Sequence, residues 1–200
     1  MKKEATRDID IRKVLVRSLV EEYSNDPDTR IVQEMGLCQG NARIDIAVIN
    51  GAIHGYEIKS ERDTLKRLGN QLEIYNKTLD FVNLIASKNH IDKAKKMIPA
   101  WWGLSEVHSQ NHKIIIREVR KGKINPNLDP NAIVQLLWRD EALEVLEEYD
   151  LKKGIWNKRR KILWESIVHN LSINELKTAV RKKIRKRINW RKKQISNILY

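Results

Sequence analysis

The chain has 200 residues, 41% hydrophobic and 32% charged, which is enough for an apolar core and excludes a disordered chain. Its one cysteine, Cys38, excludes an internal disulfide and fits a reducing compartment, and no His or Cys spacing suits zinc. The net charge of +13 sits entirely in the last quarter: from Lys152 onward 16 Lys and Arg stand against 2 Asp and Glu.

The first residues are charged with no apolar run behind them, so neither a signal peptide nor a membrane span is expected, and the chain reads as cytoplasmic. Residues 8–23 form a predicted helix, with Ile11, Val14, Leu15 and Leu19 on one stripe. Ile31 to Met35 reads as a strand stopped by Gly36, followed by a turn at Gln39-Gly40-Asn41. From Arg43 to Ile49 the alternation places Ile44, Ile46 and Val48 on one strand face and Asp45 and Ala47 on the other. Asn50-Gly51 is a hairpin signal, and Ile53 to Lys59 is the return strand. A helix is predicted over 60–78, with Asp63 or Ser60 as its cap, then a buried strand at Phe81 to Ala86 and a short helix at Ile91 to Met97. Strands at Gly103 to Val107 and Lys113 to Val119 precede a turn-rich stretch with Pro126 and Pro130. Beyond it the pattern is helical, over about 131–149, 157–170 and 173–195, with a capping box at Ser172-Ile173-Asn174-Glu175. The expected architecture is α/β, a central mixed sheet flanked by helices. Residues 1–125 form the core and 126–200 an all-helical, strongly basic C-terminal extension.

The hairpin carries the chemistry. Cleaving a phosphodiester calls for a divalent ion on hard oxygen ligands and a nearby cation to hold water and offset charge. Glu57 and Lys59 are two apart on one strand, so both side chains emerge from one face. Asp45 shares that face only if the loop has an odd number of residues. A three-residue loop containing Asn50-Gly51 is therefore predicted, with Gly51 left-handed or a bulge. Glu34 on the preceding strand could bind a metal or orient water. Gln71 and Tyr75, at i and i+4, face one place and could hold a phosphate or brace the lysine.

The order Glu34, Asp45, Glu57-Ile58-Lys59, Gln71-x-x-x-Tyr75 resembles the PD-(D/E)XK nuclease superfamily, the last element its RecB-type exonuclease branch. Arg43-Ile44-Asp45, Gly55 to Ser60, Asp63-Thr64-Leu65, Arg67-Leu68, Trp101-Trp102-Gly103 and Leu137 to Glu141 look like a group of small bacterial and phage proteins within it. The resemblance covers roughly residues 6–150 and departs from the superfamily's name in having Ile44 where a proline would precede the aspartate. It implies a restriction-endonuclease-like core and a metal-dependent nuclease using Mg²⁺ or Mn²⁺. Asp45, Glu57 and the Ile58 carbonyl would be ligands, Glu34 a further acid at the site, and Lys59 the group that positions water.

The basic run Arg181, Lys182, Lys183, Arg185, Lys186, Arg187, Arg191, Lys192 and Lys193 reads as a nucleic-acid backbone binder, with DNA the favoured polymer. Trp190 could stack on a base, and the Trp-rich segments would suit a homodimer. The other readings are a catalytically inactive nucleic-acid-binding or adaptor protein on a nuclease scaffold, and an interaction module with an acidic partner. The five histidines show no ligand spacing.

Overall fold

A computed structural model describes residues 6–110 and 113–187. Six strands lie in chain order in one mixed sheet: β1 (Arg30–Leu37), β2 (Ala42–Ile49), β3 (Ile53–Lys59), β4 (Phe81–Ser87), β5 (Gly103–Gln110) and β6 (Lys113–Arg120). β1, β2 and β3 pair antiparallel, β3, β4 and β5 parallel, and β5 with β6 antiparallel. The helices are α1 (Asp8–Glu22), α2 (Leu68–Thr78), α3 (Lys88–Met97), α4 (Pro130–Ile133), α5 (Arg139–Glu148), α6 (Arg160–Asn170) and α7 (Ile173–Lys186).

The sheet separates two apolar clusters. On one face α1 buries Ile11, Leu15, Val16 and Leu19 against Ile46, Val48, Ile58, Ile85 and Val107, the one helix there among the described residues. On the other face the larger cluster joins sheet residues such as Ile44, Leu84 and Leu104 to α2, α3 and the C-terminal helices through Ala94, Leu136, Leu163, Trp164 and Ile184. The helical segment is thus packed into the same core as the sheet. Buried Asp80 pins it further, accepting from the Ile53 amide at 2.8 Å and pairing with Lys177 at 2.5 Å.

Several boundaries differ from the sequence expectation. β1 runs through Gly36 to Leu37. α2 begins at Leu68 because Asp63 turns back to take the Ser60 amide (2.8 Å) and hydroxyl (2.6 Å), closing a turn where a helix start was predicted. The helix predicted over 131–149 is broken: α4 passes into a 3₁₀ turn at Val134–Leu136, Leu137 is extended, and α5 starts afresh at Arg139. Its first turn is closed by Glu141 accepting from the Trp138 amide at 2.7 Å. The Ser172 and Glu175 capping box forms as expected at the start of α7. That helix, predicted to reach residue 195, stops at Lys186 because the Arg187 backbone turns extended; the rest of the predicted span lies outside the described residues.

Candidate functional site

The hairpin register decides which side chains can meet. β2 and β3 pair Ile46 with Tyr56, Ala47 with Gly55, Val48 with His54 and Ile49 with Ile53, leaving a three-residue loop of Asn50, Gly51 and Ala52. The Asn50 amide donates to the Ala52 carbonyl, and the Asn50 side chain accepts the Ala52 amide. The odd loop length is as predicted, but Gly51 is not left-handed; Gly40 and Gly154 are the described glycines with positive φ. Continued one step, the register sets Asp45 opposite Glu57. The ladder stops short of that step, and Asp45 Oδ2 takes the Ile58 amide at 2.7 Å instead. A residue's N–H and C=O point to the same side of a strand, so the Ile58 carbonyl faces the same gap.

The neighbouring strand shows why the ladder opens there. Glu34 has φ 55°, and it and Asp45, which the register sets opposite each other, form no pair. The strand faces switch at that point. Ala42 and Ile44 belong to the large cluster, and so do Ala47 and Ile49, while Ile46 and Val48 face α1. The simple alternation expected from Ile44 to Val48 is therefore wrong at Ile44. The left-handed residue costs on the order of 1–2 kcal/mol and produces a local twist that exposes Asp45 to the cleft.

Into this opening α2 delivers Gln71 and Tyr75. Lys59 Nζ donates to Glu57 Oε1 at 2.6 Å and to Gln71 Oε1 at 3.2 Å; Gln71 Nε2 donates to Glu57 Oε1 at 2.8 Å and to the Tyr75 hydroxyl at 3.2 Å. The Tyr75 hydroxyl lies 2.7 Å from both Glu57 Oε2 and the Arg43 carbonyl, so one phenolic proton serves two acceptors. Glu57 and Lys59 are 2% and 4% exposed. A buried carboxylate and ammonium are tolerable only with such complete pairing. Burial, then the Glu57 charge, hold the Tyr75 hydroxyl protonated far above its usual range.

Arg12 of α1 was not foreseen. Its guanidinium donates to Asp45 Oδ1 at 2.7 Å, to Glu34 Oε1 at 2.5 Å, to the Asp45 carbonyl at 3.1 Å and to Asp8 Oδ2 at 3.1 and 3.2 Å. Burial opposes its charge, but Asp45, Asp8 and Glu34 outweigh that and strengthen it. The one sequence signal was the Asp8 and Arg12 pair at i and i+4 beside the apolar stripe. Burial, then the Glu57 carboxylate, push Asp45 up to about 7, against the pull of Arg12 and the Ile58 amide.

Arg12, Asp45, Glu57, Ile58, Lys59 and Gln71 line an open cleft of about 590 Å³, rimmed by Gly40, Asn41, Arg43, Arg67 and Asn70, with Tyr75 buried behind it. Of the residues singled out beforehand, the structure gathers Asp45, Glu57, Ile58, Lys59, Gln71 and Tyr75. Glu34 reaches the cleft but turns its carboxylate to Arg12 and Arg43. Among the described residues no three of His, Cys, Asp and Glu stand together as a metal-holding group.

The basic run is not the free cationic face expected. Lys183 is buried and pairs with Glu144 (2.7 Å) and Glu148 (2.9 Å). Arg187, also buried, binds Glu141 and the Leu136 carbonyl and lies over the Trp138 ring at 4.0 Å. Lys182 pairs with Glu148, Arg185 with Asp28, and Arg181 bonds Thr178. The ion pairs thus go to acids of α5 and to Asp28 in the turn before β1; Lys186 is exposed. Arg191, Lys192, Lys193 and Trp190 lie outside the described residues. No helix among the described residues is long and apolar enough to cross a membrane.

The family described as Bacteriophage P4 protein cII matches residues 1–198. Protein cII of Enterobacteria phage P4 is 26% identical over 160 residues, covering 80% of this chain and 60% of that protein. The chain thus aligns with about 60% of the length of this curated relative. Among solved structures, a protein of unknown function from Silicibacter pomeroyi, SPO1766, aligns with 72% of this chain and 94% of its own at 19% identity and a TM-score of 0.41.

Proposed function

The chain belongs to the bacteriophage P4 protein cII family, and we propose that it is a metal-dependent nuclease hydrolysing phosphodiester bonds, in DNA first of all, on a restriction-endonuclease-like PD-(D/E)XK architecture. The observation that carries this reading is the opened end of the β2–β3 hairpin. It brings Asp45, Glu57 and the Ile58 carbonyl to one cleft, with Lys59 locked beside them by Gln71. The donor set fits Mg²⁺ or Mn²⁺: two hard carboxylates and one carbonyl, with the remaining positions open to water and phosphate oxygens. Such an ion supplies charge neutralisation at the scissile phosphate and makes an attacking water more acidic.

The chain's own residues do the rest. Lys59 has committed two of its three donors, to Glu57 and Gln71, which leaves one for a water or a phosphate oxygen. Gln71 and Tyr75 fix both oxygens of Glu57, so this carboxylate cannot swing away. Arg12 holds Asp45 from the other side of the sheet and keeps it aimed at the gap.

Incubation of labelled single-stranded and duplex DNA and RNA with Mg²⁺ or Mn²⁺ tests the reading. Cleavage is expected, falling on the order of 10²-fold or more in Lys59→Ala. Absence of cleavage on every substrate, or full activity in Lys59→Ala, overturns it.

Arg12 also favours a second reading. A guanidinium already neutralises Asp45 and Glu34, as would suit a catalytically inactive nucleic-acid-binding or adaptor protein that retains a nuclease scaffold. Calorimetric titration with Mn²⁺ separates the two: binding lost in Asp45→Ala belongs to the nuclease, and no binding at all to the scaffold protein.

A further inference from the structure

The segment between α5 and α6, with the first turn of α6, carries a cationic run that holds no acid of its own. From Lys152 to Lys161 there are six Lys and Arg and no acid. Lys152 pairs with Glu147 and Lys161 lies 3.8 Å from Glu165, but Lys153, Lys158 and Arg159 are exposed and have no ion-pair partner among the described residues. In their midst Trp156 is 63% exposed. A large aromatic left in water forfeits burial energy of about 2 kcal/mol or more, and here it stands among unpaired cations.

The segment is built rather than loose. Arg139 of α5 donates to the carbonyls of Trp156 (2.9 Å) and Lys158 (3.5 Å), and backbone turns close between Lys152 and Ile155 and between Ile155 and Lys158. It is also joined to the cleft. Arg160, held over the Trp164 ring, donates to Gln39 Oε1 at 3.0 Å, and Gln39 bonds Gln135 at 3.2 Å. Gln39 directly precedes Gly40 and Asn41 on the cleft rim.

We infer that residues 152–161 form a platform for a single-stranded stretch of nucleic acid continuous with the Asp45–Lys59 cleft, Trp156 stacking on an unpaired base while Lys153, Lys158 and Arg159 meet phosphates. The inference rests on the nuclease reading for its substrate class. A flat indole face is satisfied by a splayed base and not by the stacked interior of a duplex, so single strands are the fitting ligand. The cations beside it supply sequence-independent, salt-dependent attraction.

The test uses the full chain in a Lys59→Ala background with EDTA, so that nothing is cut, and reads fluorescence anisotropy of a labelled oligothymidylate. Trp156→Ala is expected to weaken binding about tenfold or more while Trp156→Phe keeps most of it. A Lys158→Glu, Arg159→Glu double variant is expected to weaken binding and flatten its salt dependence. A blunt duplex is expected to be insensitive to Trp156→Ala. Unchanged oligothymidylate binding in Trp156→Ala overturns the inference. So does displacement of the oligothymidylate by polyglutamate at equal charge, which would mark an acidic protein surface as the partner. Cleavage assays separate the two proposals: a Trp156-dependent binder that never cuts keeps the platform and loses the nuclease.

Discussion

Asp45 is the residue on which protonation and the proposed metal would meet. Its carboxyl is pushed up to about 7 by burial and by Glu57, whereas in the unfolded chain it ionises near 4. Between those values the folded state keeps a proton that the unfolded state has released. The contribution of Asp45 to stability therefore falls as pH rises through that window. In EDTA the melting temperature should decline from about pH 5 to about pH 8, less so in Asp45→Ala, and equal slopes would refute the assignment. An ion must also displace this proton. At about pH 6 Mn²⁺ binding should release close to one proton and at about pH 8 almost none, as calorimetry in buffers of different ionisation enthalpy would report. The same residue shows what the sequence could reveal. Asp45, Glu57 and Lys59 were legible because period-two alternation and a turn signal leave few registers, and only an odd loop brings them together. Arg12 was not, because its partners Glu34 and Asp45 stand 22 and 33 positions away, and no local pattern encodes such distances.

At the scale of elements, β3 leaves no room for a side chain at Gly55. A Cβ there would lie 2.6 Å from Leu79 Cδ1 and 3.1 Å from Ile44 Cγ1. Gly55→Ala should cost about 2 kcal/mol, or roughly 4–8 °C in melting temperature. Chemical denaturation would check this, an unchanged midpoint meaning that Leu79 yields freely. Since β3 carries Glu57 and Lys59, metal affinity should fall with it. Helix boundaries were harder to foresee than strands for a related reason. The side chains of Asp63 and Glu141 choose between continuing and ending a turn, and that choice depends on which amide each can reach. The basic run misled in the same way. Its charge is visible in sequence, but Glu141, Glu144 and Glu148, which neutralise it, precede it by 34 to 46 positions and meet it only when α5 and α7 pack.

For the molecule as a whole, the sheet and the C-terminal helices share one apolar cluster, with Leu136, Leu163, Trp164, Ile167 and Ile184 packed with the sheet residues. A chain ending at residue 125 would expose the part of this cluster that they cover. It should lack a cooperative thermal transition by circular dichroism and bind an apolar dye. A sharp transition at the full-length temperature would show instead that the sheet with α1 to α3 stands alone. The three-layer order was readable from alternating strand and helix patterns, and six strands in a mixed sheet bear it out. The packing of α4 to α7 into the same core was not readable, because amphipathic stripes state that a face is covered without naming its cover.

The left-handed Glu34 and its unpaired neighbour Asp45 leave a mark that a library of variants would detect. Before them the positions demanding apolar side chains beneath the large helices include Val32; after them they fall on Met35 and Leu37, and across the gap on Ala42 and Ile44 and then on Ala47 and Ile49. Tolerance to polar substitution along residues 30–49 should therefore run in two rhythms offset by one residue. The beat between them would fall where the hairpin opens, so the cleft would be visible in mutational data alone.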